Sequence, residues 1–100
     1  MTGRNDLEAL AALVATLRPG DRYELVDHDY YKHSGPRVIT KVYDKTLHAE
    51  AAYGRESYMD WPDGTDETHD FEVEDRTLRI YKLKHAYVHG NRAIILEFKF

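Results

Sequence analysis

The sequence predicts an α+β fold: one N-terminal amphipathic helix packed on a strongly bent antiparallel sheet, or on a small half-open barrel, of six to seven strands. Three observations predict it. Apolar residues recur at helical spacing only near the N-terminus, at Leu7, Leu10, Val14 and Leu17. Beyond Arg22 the chain becomes a succession of short alternating runs rich in β-branched and aromatic residues. Finally, the apolar positions are even over Leu78–Ile80 and odd from Tyr81 onward, so one strand switches its buried face, as a β-bulge or a bent corner would require.

The helix is expected over about residues 5–17, with Asn5 as its cap and Glu8 at the capping-box position. Arg18-Pro19-Gly20 ends it, because Pro19 cannot continue a helix and Gly20 permits a reversal. Arg22–His28 reads as a first strand, Asp29–Pro36 as a polar loop, and Arg37–Tyr43 as a second strand. Thr46–Tyr53 has helical propensity, with Asp44 as a cap and Gly54 as a stop. A hairpin loop at Tyr53-Gly54-Arg55-Glu56 favours two strands instead, with Ala52 opposite Ser57 and Ala51 opposite Tyr58. Asp60–Asp70 is an acidic loop punctuated by Pro62 and Gly64.

From Phe71 to Phe100 the chain reads as a continuous meander. Phe71, Glu72 and Val73 face Ile80, Arg79 and Leu78, which matches apolar with apolar and acid with base. A two-residue turn at Gly90-Asn91 then sets the last hairpin. That register places Val88 opposite Ala93, Tyr87 opposite Ile94, Ala86 opposite Ile95 and His85 opposite Leu96. It places Lys82 opposite Lys99 and Tyr81 opposite Phe100, with Tyr81 on the apolar face.

The run Pro19-Gly20-Asp21-Arg22-Tyr23-Glu24-Leu25-Val26-Asp27, followed by Gly35 and a Val/Ile strand, resembles the opening of SH3-like barrels over about a third of the chain. The resemblance implies a small barrel and carries no function with it.

A chain of 100 residues suits one domain, residues 1–100, with one modest core. No apolar run approaches the roughly 18 residues of a membrane span, and the N-terminus lacks the pattern of a secretory leader. The expected setting is cytoplasmic, with no membrane partner. The absence of cysteine excludes disulfides, thiol catalysis and thiolate zinc sites. The net charge of −4 divides unevenly: residues 1–75 hold 8 Lys/Arg and 17 Asp/Glu (−9), and residues 76–100 hold 6 and 1 (+5). The two segments are expected either to neutralise one another or to leave a basic face.

That basic face is the leading functional expectation. Arg79, Lys82, Lys84, Arg92 and Lys99 would offer cations to a nucleic-acid backbone, making the chain a non-enzymatic DNA- or RNA-binding accessory or regulatory protein. The alternative is a protein-interaction module, including a homodimer, using Tyr30, Tyr31 and Trp61 with the C-terminal strand edge. No catalytic residue is singled out, because Ser34 and Ser57 lie outside any nucleophile-elbow pattern and no phosphate-binding glycine loop exists. No cofactor or metal is expected: His85 and His89 on one strand would stand roughly 13 Å apart, and the acidic loop lacks calcium-loop spacing.

Overall fold

The computed structural model describes residues 4–85 and 90–100, with side chains from Asp6 in the N-terminal helix. Helix α1 spans Arg4–Thr16 and is followed by β1 (Arg22–Asp27), β2 (Gly35–Val42), β3 (Thr46–Glu50) and β4 (Glu56–Asp60). Strands β5 (His69–Glu74), β6 (Thr77–Leu83) and β7 (Arg92–Lys99) complete one antiparallel sheet of order β4-β3-β2-β1-β7-β6-β5. Residues 46–50 are therefore strand rather than helix.

Asn5 falls inside α1 rather than before it, and its side chain lies outside the described residues. The helix buries Leu10 and Leu13, and Leu17 just beyond its end, while Leu7 stays largely exposed. Arg18 closes the C-terminus by donating from Nη1 to the carbonyls of Ala15 and Leu17, both at 2.8 Å. This satisfies carbonyls that the last turn leaves without partners and sets a cation where the helix dipole favours one. Gly20 then takes φ +95°, open to glycine at little cost, and its N–H reaches the Ile39 carbonyl at 2.8 Å. That bond aims the chain into β1.

The two edge strands, β4 and β5, are consecutive in sequence. Six strand spacings of a flat sheet would separate them by about 29 Å. The nine backbone steps from Asp60 to His69 span at most about 32 Å fully extended. The connection is far from extended: Asp63 Oδ1 accepts from the Thr65 N–H and Asp66 Oδ1 from the Thr68 N–H, each closing a local turn. The sheet must therefore curl to bring its edges together, and α1 packs into the hollow side near β5. The edges do not hydrogen-bond to each other, so the sheet stays open rather than closing into a barrel.

The core lies on the concave face, where Ile39, Leu47 and Leu78 are almost wholly removed from solvent and each contributes about 1.5–3 kcal/mol. Trp61 belongs to this core. It was expected as an exposed anchor because its neighbours are polar, but it is only 8% exposed. Its Nε1 donates to the Tyr43 carbonyl at 3.1 Å, and its ring lies 6.1 Å from that of Phe100.

Register is where expectation and structure part. The β5–β6 pairs are as predicted: Phe71–Ile80, Glu72–Arg79 and Val73–Leu78. A bulge is also present where one was expected, as an irregularity in the β6–β7 ladder between Ile80 and Tyr81, but the extra residue is Ile95 on β7, and Tyr81 stays on the same face as Arg79, both side chains reaching Glu72. The β6–β7 register, however, is not that of a two-residue Gly90-Asn91 turn. Leu78 pairs with Phe98, Arg79 with Glu97, Ile80 with Leu96 and Lys82 with Ala93, so β6 ends at Leu83 and β7 begins at Arg92. The expected pairings of residues 86–88 lie outside the described residues.

Separating the paired strand ends by eight residues of chain rather than two costs only about 1.2 kcal/mol in closure entropy. In return, Leu78 and Ile80 meet Phe98 and Leu96 on the core face, Arg79 meets an acid, and the Lys82–Lys99 opposition disappears. His85 follows the strand exposed, instead of facing Leu96. The β3–β4 hairpin also differs: Ala49 pairs with Ser57 and Glu50 with Glu56, so residues 51–55 connect the strands and the expected Ala52–Ser57 and Ala51–Tyr58 pairs do not form. Strand β7 is not an edge either. It lies between β1 and β6, with Leu25 opposite Phe98 and Val26 opposite Glu97.

Candidate functional site

The residues expected to form a basic face lie on and beside the convex side of β5, β6, β7 and β1, and the two arginines there are matched by acids. Arg79 Nε donates to Glu97 Oε2 at 3.3 Å, and its Nη1 lies 3.5 Å from Glu72 and 3.7 Å from Glu74. Arg92 Nη1 donates to Asp70 Oδ2 at 2.6 Å, its Nη2 lies 3.5 Å from Glu72, and its guanidinium stacks 3.9 Å above the Tyr81 ring. Tyr81 therefore sits on the convex face, not the apolar one, and its hydroxyl donates to Glu72. Burial together with that bond raises the Tyr81 pKa.

Glu97 also accepts from His28 Nε2 at 2.8 Å. That bond is the largest influence holding Glu97 below the usual glutamate pKa; partial burial opposes it, while Arg79 and Lys99 reinforce it. The three lysines are exposed and scattered. Lys82 stands between His69 and Ala93, Lys84 follows β6, and Lys99 lies opposite Thr77 and Glu24. The acidic and basic segments thus meet at the arginines, and no continuous row of unpaired cations stands on this face among the described residues.

A different surface gathers on the convex side of β3 and β4. His48 on β3 pairs directly with Tyr58 on β4, and their rings meet edge to face at 4.6 Å. Tyr43, just past β2, packs against the other side of His48 at 5.2 Å. Tyr58 remains 61% exposed and Tyr43 nearly half exposed. Glu56 accepts from the Tyr58 hydroxyl, and this bond is the chief reason the Tyr58 pKa is raised.

Acids flank these rings. Glu50 lies directly opposite Glu56 and Asp60 ends the same strand; all three are exposed, and among the described residues no cation lies within salt-bridge distance of any of them. Like charges in directly opposed positions are unfavourable. Strand β4 pairs with β3 on one side only, so its other backbone edge is open. At the tip of the same hairpin, Tyr53 is fully exposed and takes φ 63°, ψ 26°, a left-handed conformation costly for a bulky residue.

The loop expected to supply interface aromatics reaches the same end of the sheet as that tip. Tyr30 and Tyr31 are both exposed; Tyr30 packs on His33 with ring centroids 4.5 Å apart. Asp27 shapes this loop by accepting the Asp29 and Tyr30 N–H groups at 3.0 and 2.8 Å. Tyr43, His48, Tyr53 and Tyr58 are not among the site residues that the sequence singles out. The β3–β4 register expected there put Tyr58 opposite Ala51, whereas His48 and Tyr58 meet only in the observed register.

Among the described residues, no three His, Asp or Glu side chains converge to hold a metal ion, and no helix is long and apolar enough to cross a membrane. No known family, no curated protein and no solved structure matches the chain.

Proposed function

We propose that the chain is a non-enzymatic protein-interaction module that accepts an extended, basic peptide segment along β4. The observation that carries this reading is an open edge strand whose convex face joins exposed tyrosines to unmatched acids: Tyr58 flanked by Glu56 and Asp60, with Glu50 opposite Glu56. Strand addition draws affinity from backbone hydrogen bonds and specificity from alternate side chains. The complementary partner carries Lys or Arg at alternate positions around an aromatic or apolar residue, so that its cations meet Glu56 and Asp60 while the central side chain lies on Tyr58.

A second copy of the chain fits less well. Antiparallel pairing of two β4 strands centred on Tyr58 sets Glu56 against Asp60 of the other copy at both ends, adding two like-charge oppositions. The nucleic-acid reading draws little support from Arg79 and Arg92, whose charges are matched within the molecule.

The test is a fluorescence-anisotropy titration with a labelled peptide alternating Lys around a central Tyr, its scrambled counterpart, and a single-stranded oligonucleotide of equal length. The reading expects peptide binding that weakens about tenfold or more in an E56K/D60K variant and falls with added salt. Equal binding by the charge-reversed variant overturns it. Oligonucleotide binding that is lost on replacing Lys82 and Lys84 by Glu would move the function to the other face.

A further inference from the structure

A hollow of about 580 Å³ opens beneath the acidic loop, and a groove of about 850 Å³ runs beside α1; Asp60 lies on the rim of both, and neither is lined by an arginine. A third hollow, of about 440 Å³, differs. It lies on the concave side between the loop joining β1 to β2 and the tip joining β3 to β4, and Arg37 forms part of its wall. Arg37 Nη1 donates to the Pro36 carbonyl at 3.1 Å and Nη2 to the His33 carbonyl at 2.6 Å, which holds the guanidinium in place.

No carboxylate comes within salt-bridge distance of Arg37 among the described residues, and its Nε is shut from solvent without an acceptor. Of five N–H bonds, two are satisfied by those carbonyls. A partly buried cation without a counter-charge is costly, and in a native fold it calls for a reason.

The rest of the wall points to that reason. Lys32 and Arg55 stand exposed at the rim, also without acid partners among the described residues. The two lining acids are turned to other tasks. Asp27 holds its own loop and lies 3.3 Å from His33 Nδ1, and Glu56 accepts from Tyr58 on the convex face. Leu25, Ala51 and Ala52 supply an apolar side.

We propose that this hollow binds a small organic carboxylate, its anionic end on the Arg37 guanidinium between Lys32 and Arg55, and its apolar body against Leu25, Ala51 and Ala52. The planar guanidinium fork matches a carboxylate in geometry as well as charge, and the volume lies in the range of small-ligand pockets. The site is on the opposite face of the sheet from Tyr58, so it stands or falls independently of peptide docking at β4.

The experiment is an amide and arginine Nε–H NMR titration of the whole chain with sodium benzoate, benzyl alcohol and inorganic phosphate through the millimolar range. The proposal expects saturable benzoate shifts centred on Arg37, Leu25, Ala51 and Ala52, with benzyl alcohol and phosphate much weaker. Arg37→Gln should weaken benzoate at least about tenfold, the loss expected of one charge-assisted pair. Arg55→Gln and Lys32→Gln at the exposed rim should each weaken it about two- to threefold. These rim variants carry the test should Arg37→Gln fail to fold. Absence of saturation, equal binding of benzyl alcohol, tighter binding of phosphate, or rim variants that bind like the parent chain each overturn it.

Discussion

Arg92 and Arg37 are both partly buried arginines on strands of one sheet, yet their surroundings are opposite. Arg92 lies on the convex side among Asp70, Glu72 and the face of Tyr81, with Asp70 itself only 5% exposed. Arg37 lies on the concave side, held by two backbone carbonyls and no carboxylate among the described residues. A buried cation with acids around it is part of the scaffold, because removing it takes a counter-charge from each of those acids. A buried cation without them costs stability and is therefore where a ligand could act. The same residue type thus marks structure on the convex face and a candidate site on the concave one.

The largest expected effect tests the Arg92 half of that contrast. Arg92→Ala should lower stability by about 2–3 kcal/mol, because it takes the counter-charge from a buried Asp70 carboxylate. A urea midpoint unchanged from the parent chain would place Arg92 with the surface pairs. Next comes the Arg79–Glu97 pair, whose partners are 25% and 16% exposed. A double-mutant cycle with Arg79→Gln and Glu97→Gln should give a coupling of about 1 kcal/mol, and additive losses would dissolve the network into independent contacts.

By contrast, Arg37→Met should change stability by less than about 1 kcal/mol in either direction, since charge and unsatisfied donor leave together. A loss as large as that of Arg92→Ala would break the comparison. The pH dependence sharpens it from another side. Glu97 is held below its usual pKa in the folded chain, first by His28. Its stabilising contribution is therefore fully present above the unfolded glutamate value of about 4.3 and is lost as pH falls through the lower folded value. The parent chain and Glu97→Gln should differ in stability above that window and converge below it, as read by urea unfolding at stepped pH.

The smallest effect belongs to the hairpin tip. Tyr53→Gly should raise stability by up to about 1 kcal/mol, because the left-handed backbone is no strain for glycine and an exposed ring gives up no packing. No gain in thermal midpoint would mean that the tip relaxes without cost.

Much of the fold was legible because it rests on local pattern. The helix stripe, the β5–β6 pairs and the irregularity at Ile80–Tyr81 all follow from alternation and charge over short separations. The β6–β7 register was not, because Gly90-Asn91 is a strong local turn signal and the competing register gains from Leu78–Phe98 and Arg79–Glu97, pairs some 20 residues apart. Nor was the position of β7, which depends on pairing with β1 across about 70 residues of chain. The candidate surfaces were the least legible. His48 and Tyr58 come together only through the β3–β4 register, and Arg37 meets Arg55 only after β2 has paired with β3. Trp61 misled because polar neighbours in sequence do not govern where a large ring packs.

The central place of β7 has a consequence for how the molecule assembles. Strands β1–β4 and strands β5–β6 are built from neighbours in sequence and can form as two separate hairpin arrays. Until residues 92–99 arrive, β1 and β6 each present a raw inner edge, and the two arrays have no ladder joining them. The joining step closes the longest sequence separation in the sheet, and pairings of that kind carry the closure entropy that slows folding. It is also the interval in which those inner edges can recruit a neighbouring chain instead of their own last strand.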